Sequence, residues 1–143
     1  MLSVIGIAAT GAVGVWLGVM VFFSFFVAPR AFAVLEEDDA GEFVNAVFPR
    51  YYSLGVVLGV VGVGGGVVRG VVGGFSLYLG MYVATLGLSA LVAFVSRAYL
   101  VPRIEEADGS GEEDAFEKYH DLSVKLNSVV LVSVVAAVVF WHL

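Results

Sequence analysis

The polar chemistry this sequence offers is concentrated near one end. His120, Ser123 and Asn127 stand at i, i+3 and i+7, a spacing that puts an imidazole, a hydroxyl and a carboxamide on one face of a helix. Such a set can grip a polar solute by hydrogen bonds, because it supplies both donors and acceptors. A second stripe, Tyr82, Thr85 and Ser89, continues from Tyr78 at steps of four, three and four and runs on toward Ser96 and Arg97. Polar side chains inside a membrane are costly unless they face one another or water, so the two stripes are expected to meet. Asn127 lies about 10 Å deeper along the axis than His120 at the standard helical rise. The pair is expected to line a polar vestibule that opens to the cytoplasm and reaches part-way into the bilayer, with Arg30, Arg97 and Arg103 ringing its mouth. The plainer alternative is mutual satisfaction, with Asn127 bonded to a neighbouring helix, His120 held near Tyr119 and the arginines paired with acids.

Other chemistries are excluded. The chain has no cysteine, which removes disulfides, thiol nucleophiles and thiolate metal sites together. His120 and His142 lie on one helix about 33 Å apart, so they cannot share a metal or haem iron within one subunit. Met20 and Met81 belong near mid-membrane, away from His120 in depth. No metal site, no cofactor and no catalytic residue is assigned, since no His, Glu or Asp pair lies inside a span where burial would tune it for acid–base work.

The elements that must position these residues follow from composition. Of 143 residues 60% are hydrophobic and 14% charged, and the mean hydropathy is +0.99, well beyond what a soluble core of this size requires. A bilayer core takes about 20 helical residues, and four runs of that kind occur, at about 2–28, 51–68, 74–100 and 119–142. The sequence therefore predicts an all-α, integral membrane four-helix bundle forming a single domain over residues 1–143. The first run lacks a basic flank and exceeds a signal-peptide core in length, and is read as a retained helix. Lys125, near the start of the last run, can snorkel to the surface.

All thirteen acids fall in two segments, five in Glu36 to Glu42 and eight in Glu105 to Asp121. The loops 29–50 and 101–118 lie on one side, with Arg30, Arg50, Arg97, Arg103, Lys118 and Lys125, whereas the short turn near Gly73-Gly74 has Arg69 alone. Six basic residues against one place the acidic loops in the cytoplasm and both termini outside a cell membrane. Phe32, Leu35, Phe43, Val44 and Val47 suggest a short amphipathic helix or helical pair on the membrane surface, and Asp108-Gly109-Ser110-Gly111 suggests a flexible turn. The net charge of −6 leaves no basic surface for nucleic acid.

One spacing occurs twice. Pro29-Arg30 precedes Phe43, and Pro102-Arg103 precedes Phe116, with twelve residues between Arg and Phe each time. Two tandem helical-hairpin repeats would explain it, related by an axis along the membrane normal. Glycines recur at four-residue steps with one step of three, Gly14 and Gly18 on the first helix and Gly55, Gly59, Gly62 and Gly66 on the second. Such columns let helix backbones approach closely, in a bundle or between protomers, and a homo-oligomer is expected.

Phe22 to Phe26 leading into Val27-Ala28-Pro29, Phe48-Pro49-Arg50-Tyr51-Tyr52, and Phe116, His120, Ser123 and Asn127 after Pro102 together resemble the family called domain of unknown function 4149, which includes the eukaryotic transmembrane protein 205 linked to cisplatin resistance. The resemblance implies a four-helix membrane protein with His120, Ser123 and Asn127 as family-type positions, and a part in transport or in resistance to toxic metal compounds. Thiolate handling of metals cannot carry over to a chain without cysteine. The acid-rich loops, with arginine outnumbering lysine five to two, also resemble salt-adapted archaeal proteins. The functional expectation is a transporter or channel-like protein whose partners are the lipid bilayer and a small solute. The alternatives are a non-transporting membrane scaffold or assembly factor and a haem- or quinone-binding membrane enzyme.

Overall fold

The structure is a computed structural model and describes residues 2–143. Its helices are α1 (Leu2–Phe22), α2 (Ala28–Val34), α3 (Glu37–Gly73), α4 (Leu77–Val95), α5 (Val101–Ser110) and α6 (Glu113–His142). Single π-helical turns, Phe23–Val27 and Ser96–Leu100, fuse α1 to α2 and α4 to α5. The result is four long helical rods, each apolar enough to cross a membrane, and no strand among the described residues. The chain is an all-α membrane protein.

The π turns explain why the rods outrun the apolar segments. Proline cannot donate a backbone hydrogen bond, and its ring crowds the carbonyl four residues back. Pro29 and Pro102 each occupy the second position of their helix, α2 and α5, directly after a π turn. There the N–H of Ala28 reaches back to Phe23 O and that of Val101 to Ser96 O, five residues in both cases. The wider turn absorbs the proline without ending the helix. Segments expected as loops, 29–50 and 101–118, are therefore mostly helix: α2 extends the first rod, the front of α3 projects from the second, and α5 runs to Ser110. The flexible turn shrinks to Gly111, left-handed at φ 69°, and Glu112. The repeated Pro-Arg spacing coincides with this repeated device.

At the opposite end α3 closes on Gly74 at φ 89° and Ser76 caps α4, its hydroxyl accepting from Leu79 N–H at 3.1 Å. The hairpin is thus tight and antiparallel.

The core lies where the rods cross, with Trp16 and Met20 from α1, Phe48, Tyr51 and Tyr52 from α3, Leu86 and Ala90 from α4, and Val130 and Val134 from α6. Close approach depends on missing side chains. A Cβ on Gly55 would stand 2.8 Å from Trp16, one on Gly59 2.7 Å from Ala90, one on Gly62 2.6 Å from Leu86 and one on Gly66 2.6 Å from Tyr82. Gly14 and Gly18 differ: a Cβ on either meets nothing within 4 Å. The outward faces carry Ile7, Val57, Val71, Leu88 and Val132, as lipid-facing helices do.

Candidate functional site, a cleft between three rods

A cavity of about 400 Å³ opens between the first rod, α3 and α6. The first rod contributes Phe23, Ser24, Phe25, Pro29 and Phe32, α3 contributes Phe48, Tyr51 and Tyr52, and α6 contributes His120, Ser123, Asn127 and Leu131. The volume falls within the range of small-molecule sites, about 300–1,000 Å³.

Its polar floor is one hydrogen-bonded chain. Tyr51 Oη donates to Asn127 Oδ1 at 2.5 Å, and Asn127 Nδ2 donates to Ser24 Oγ at 3.1 Å. Each rod has a local reason for supplying its member. The first π turn carries Ser24, and Tyr51 stands one residue past Arg50, where α3 enters its apolar stretch. Asn127 follows from helical periodicity two turns after His120. Bonds in such a chain polarise one another in a low-dielectric site.

His120 stands nearer the acid-rich ends, flanked by Phe48 at 6.2 Å and Phe116 at 5.8 Å between ring centroids, both nearly parallel to the imidazole. Its Nδ1 is buried and has no hydrogen-bond partner. Ser123 is buried and spends its hydroxyl on His120 O at 2.7 Å. No Asp, Glu, Lys or Arg lines the cavity. Behind the floor a water-sized void of about 10 Å³ lies among Trp16, Met20, Tyr52, Ser96 and Asn127, room for a single water. The buried Ser96 hydroxyl beside it has no partner.

The structure thus brings together His120, Ser123 and Asn127 but keeps the other expected residues apart from them. Tyr82 Oη donates to Gly62 O at 2.9 Å and Ser89 Oγ to Thr85 O at 2.9 Å, so the α4 stripe satisfies itself in the α3–α4 interface. Arg103 donates to Tyr119 Oη at 3.1 Å and lies 4.2 Å above the Tyr99 ring, a cation–π seat away from the cavity's lining. Arg30 is exposed and Arg97 half-buried, and neither lines the cavity. Among the described residues the one ion pair is Lys125–Asp121 at 2.6 Å, and no group of three or more His, Asp or Glu could hold a metal.

Sequence reasoning missed Ser24, Tyr51 and Tyr52. The tyrosines were visible in Phe48-Pro49-Arg50-Tyr51-Tyr52, but aromatic residues beside an arginine at a span boundary have an ordinary reading as an interfacial belt. Ser24 carried no signal, because the π turn that aims it has no periodic signature.

The model of the family described as domain of unknown function (DUF4149) matches residues 11–113. An uncharacterised protein of Aquifex aeolicus (strain VF5) is 34% identical over 121 residues, covering 81% of this chain and 80% of the relative. No solved structure matches the chain. With most of its length matched by the family model and four-fifths of it aligned to that relative, the chain belongs to the DUF4149 family.

Proposed function

We propose that the protein is a small multi-pass membrane transporter of the cell membrane, with its acid-rich rod ends in the cytoplasm, both termini outside, and its solute-recognition site in the cleft of Ser24, Tyr51, His120, Ser123 and Asn127. The observation that carries this reading is the cleft itself. A 400 Å³ space with a hydrogen-bonded floor and an unpartnered imidazole nitrogen is an arrangement that plain helix packing would fill with side chains. The basic residues clustered on the acid-rich side support the orientation.

The lining argues for a neutral solute over a metal ion. It offers one imidazole and no carboxylate, a donor set too small to replace an ion's coordination shell. Flux into liposomes tests the proposal: His120→Ala and Asn127→Leu should each abolish or strongly slow uptake of the transported solute. Unchanged flux of every candidate solute in both variants would remove the site assignment.

A homo-oligomer fits the same reading, since Gly14 and Gly18 are four residues apart on α1 and meet no other helix of the chain. Gly14→Leu should then shift the cross-linked species to monomer. An unchanged pattern would place any interface elsewhere.

A further inference from the structure

The cleft opens at a particular depth and toward a particular solvent. Arg50 and Arg69 bracket residues 51–68 of α3, about 27 Å at the standard rise and close to the thickness of a bilayer's hydrocarbon. Tyr51 therefore stands just inside the boundary on the acid-rich side. On α6 the Lys125–Asp121 pair, with side chains 70% and 58% exposed, marks the same boundary, and Asn127 lies about 3 Å further in. The polar floor is level with the layer where lipid head groups meet chains. The rim on either side of the opening is apolar and faces outward: Phe25 is 63%, Phe32 46% and Val124 49% exposed. A molecule dissolved in the bilayer meets this rim without crossing water.

The bonding groups define what such a molecule must carry. Ser24 Oγ accepts from Asn127 and also lies within hydrogen-bonding reach of Tyr51 Oη. Its hydroxyl can turn its proton to Tyr51 or out to a molecule in the cleft. About 10 Å nearer the surface, His120 Nδ1 is buried and unpartnered, and a small turn of the imidazole offers it to the cleft as an acceptor in the Nε2–H tautomer. With no charged side chain on the lining, an ionised head group would be buried uncompensated.

Building on the recognition site assigned above, we infer that the cleft takes a neutral amphiphile of the acylglycerol kind directly from the adjoining lipid leaflet. A hydroxyl of its head donates to His120 Nδ1, a deeper carbonyl oxygen accepts from Ser24 Oγ, and its hydrocarbon passes the apolar rim and lies deeper still, against Leu131. The order of the groups, hydroxyl outermost, carbonyl next and chain deepest, is the order in which such molecules sit at a membrane interface.

The test uses the full chain in phosphatidylcholine nanodiscs with three photoactivatable diazirine probes of equal medium chain length: a monoacylglycerol, a carboxylate and a trimethylammonium. The monoacylglycerol should label saturably the peptides holding Phe25 to Phe32 and Val124 to Leu131, with competition by unlabelled monoacylglycerol. Both charged probes should label at least about tenfold more weakly. Ser24→Ala, checked for native helicity and monodisperse elution, should cut monoacylglycerol labelling about tenfold, and Ser128→Trp, which narrows the lipid-side mouth, should slow it. Equal labelling by a charged probe, or indifference to Ser24→Ala and Ser128→Trp, would overturn the neutral, lateral assignment and leave the cleft as a recognition site. Absence of saturable labelling by all three would overturn the amphiphile assignment alone, and the flux assay then decides the recognition site.

Discussion

Gly65 offers the most exacting test of how the rods are packed. A Cβ added there would stand 2.5 Å from Ala9 Cβ and 3.5 Å from Ala9 Cα and Ile5 O. Methyl carbons in contact sit about 3.5–4.0 Å apart, and Ala9, fully buried, has no side-chain torsion by which to move aside. The first rod and α3 must therefore separate by about 1 Å, which loosens Val13 against Gly62 and Trp16 against Gly55 as well. Overpacking of this kind costs about 1–3 kcal/mol. Gly64, the preceding residue in the same helix, faces open space with nothing within 4 Å of an added Cβ. Both substitutions to alanine gain the same helix propensity, about 0.8–1 kcal/mol, so that contribution cancels in their difference. Gly65→Ala should be less stable than Gly64→Ala by about 1–3 kcal/mol, measured by reversible unfolding in mixed micelles with far-UV circular dichroism and tryptophan fluorescence. Equal stability of the two would refute close packing of the first rod on α3.

Three further outcomes follow from the geometry. Gly74→Ala should destabilise by about 1–3 kcal/mol, because φ 89° and ψ 144° are tolerated by glycine alone, while Gly73→Ala, helical and without neighbours within 4 Å, should not; the same unfolding assay compares them, and equal stability would contradict the turn. Tyr51→Phe deprives Asn127 Oδ1 of its donor and should cost about 1–3 kcal/mol, with little further loss when Asn127→Leu is added; full additivity in that double-mutant cycle would deny the bond. Asp121→Asn, which breaks the exposed pair with Lys125, should change stability by less than about 1 kcal/mol, and a larger loss would show that pair to be buried.

The fold was legible because lipid imposes a simple rule. Four charge-poor runs of bilayer length, separated by acids and prolines, leave helices as the economical structure. His120, Ser123 and Asn127 were legible for the same reason, since helical spacing alone puts them on one face. Periodicity does not say which face meets which, however. Tyr82, Thr85 and Ser89 share a face as the spacing requires, yet Tyr82 reaches Gly62 O across the α3–α4 interface, and the cleft forms with the first rod instead. Prolines misled in a different way. Pro29 and Pro102 read as helix ends, and a π turn set just before each proline carries the helix past it. Gly65 escaped notice because the four-residue glycine columns pass on either side of it.

The cleft's lipid-facing mouth is the central claim, and the absence of cysteine in the chain makes it directly measurable. A nitroxide attached at Ser128→Cys, exposed on the cleft-lining face of α6, can be assessed by power-saturation electron paramagnetic resonance in lipid bilayers. Strong relaxation by oxygen, weak relaxation by a water-soluble nickel chelate, and a depth a few ångströms below the phosphates are the expected result. Stronger relaxation by the nickel chelate would mean a vestibule open to water, and would contradict it.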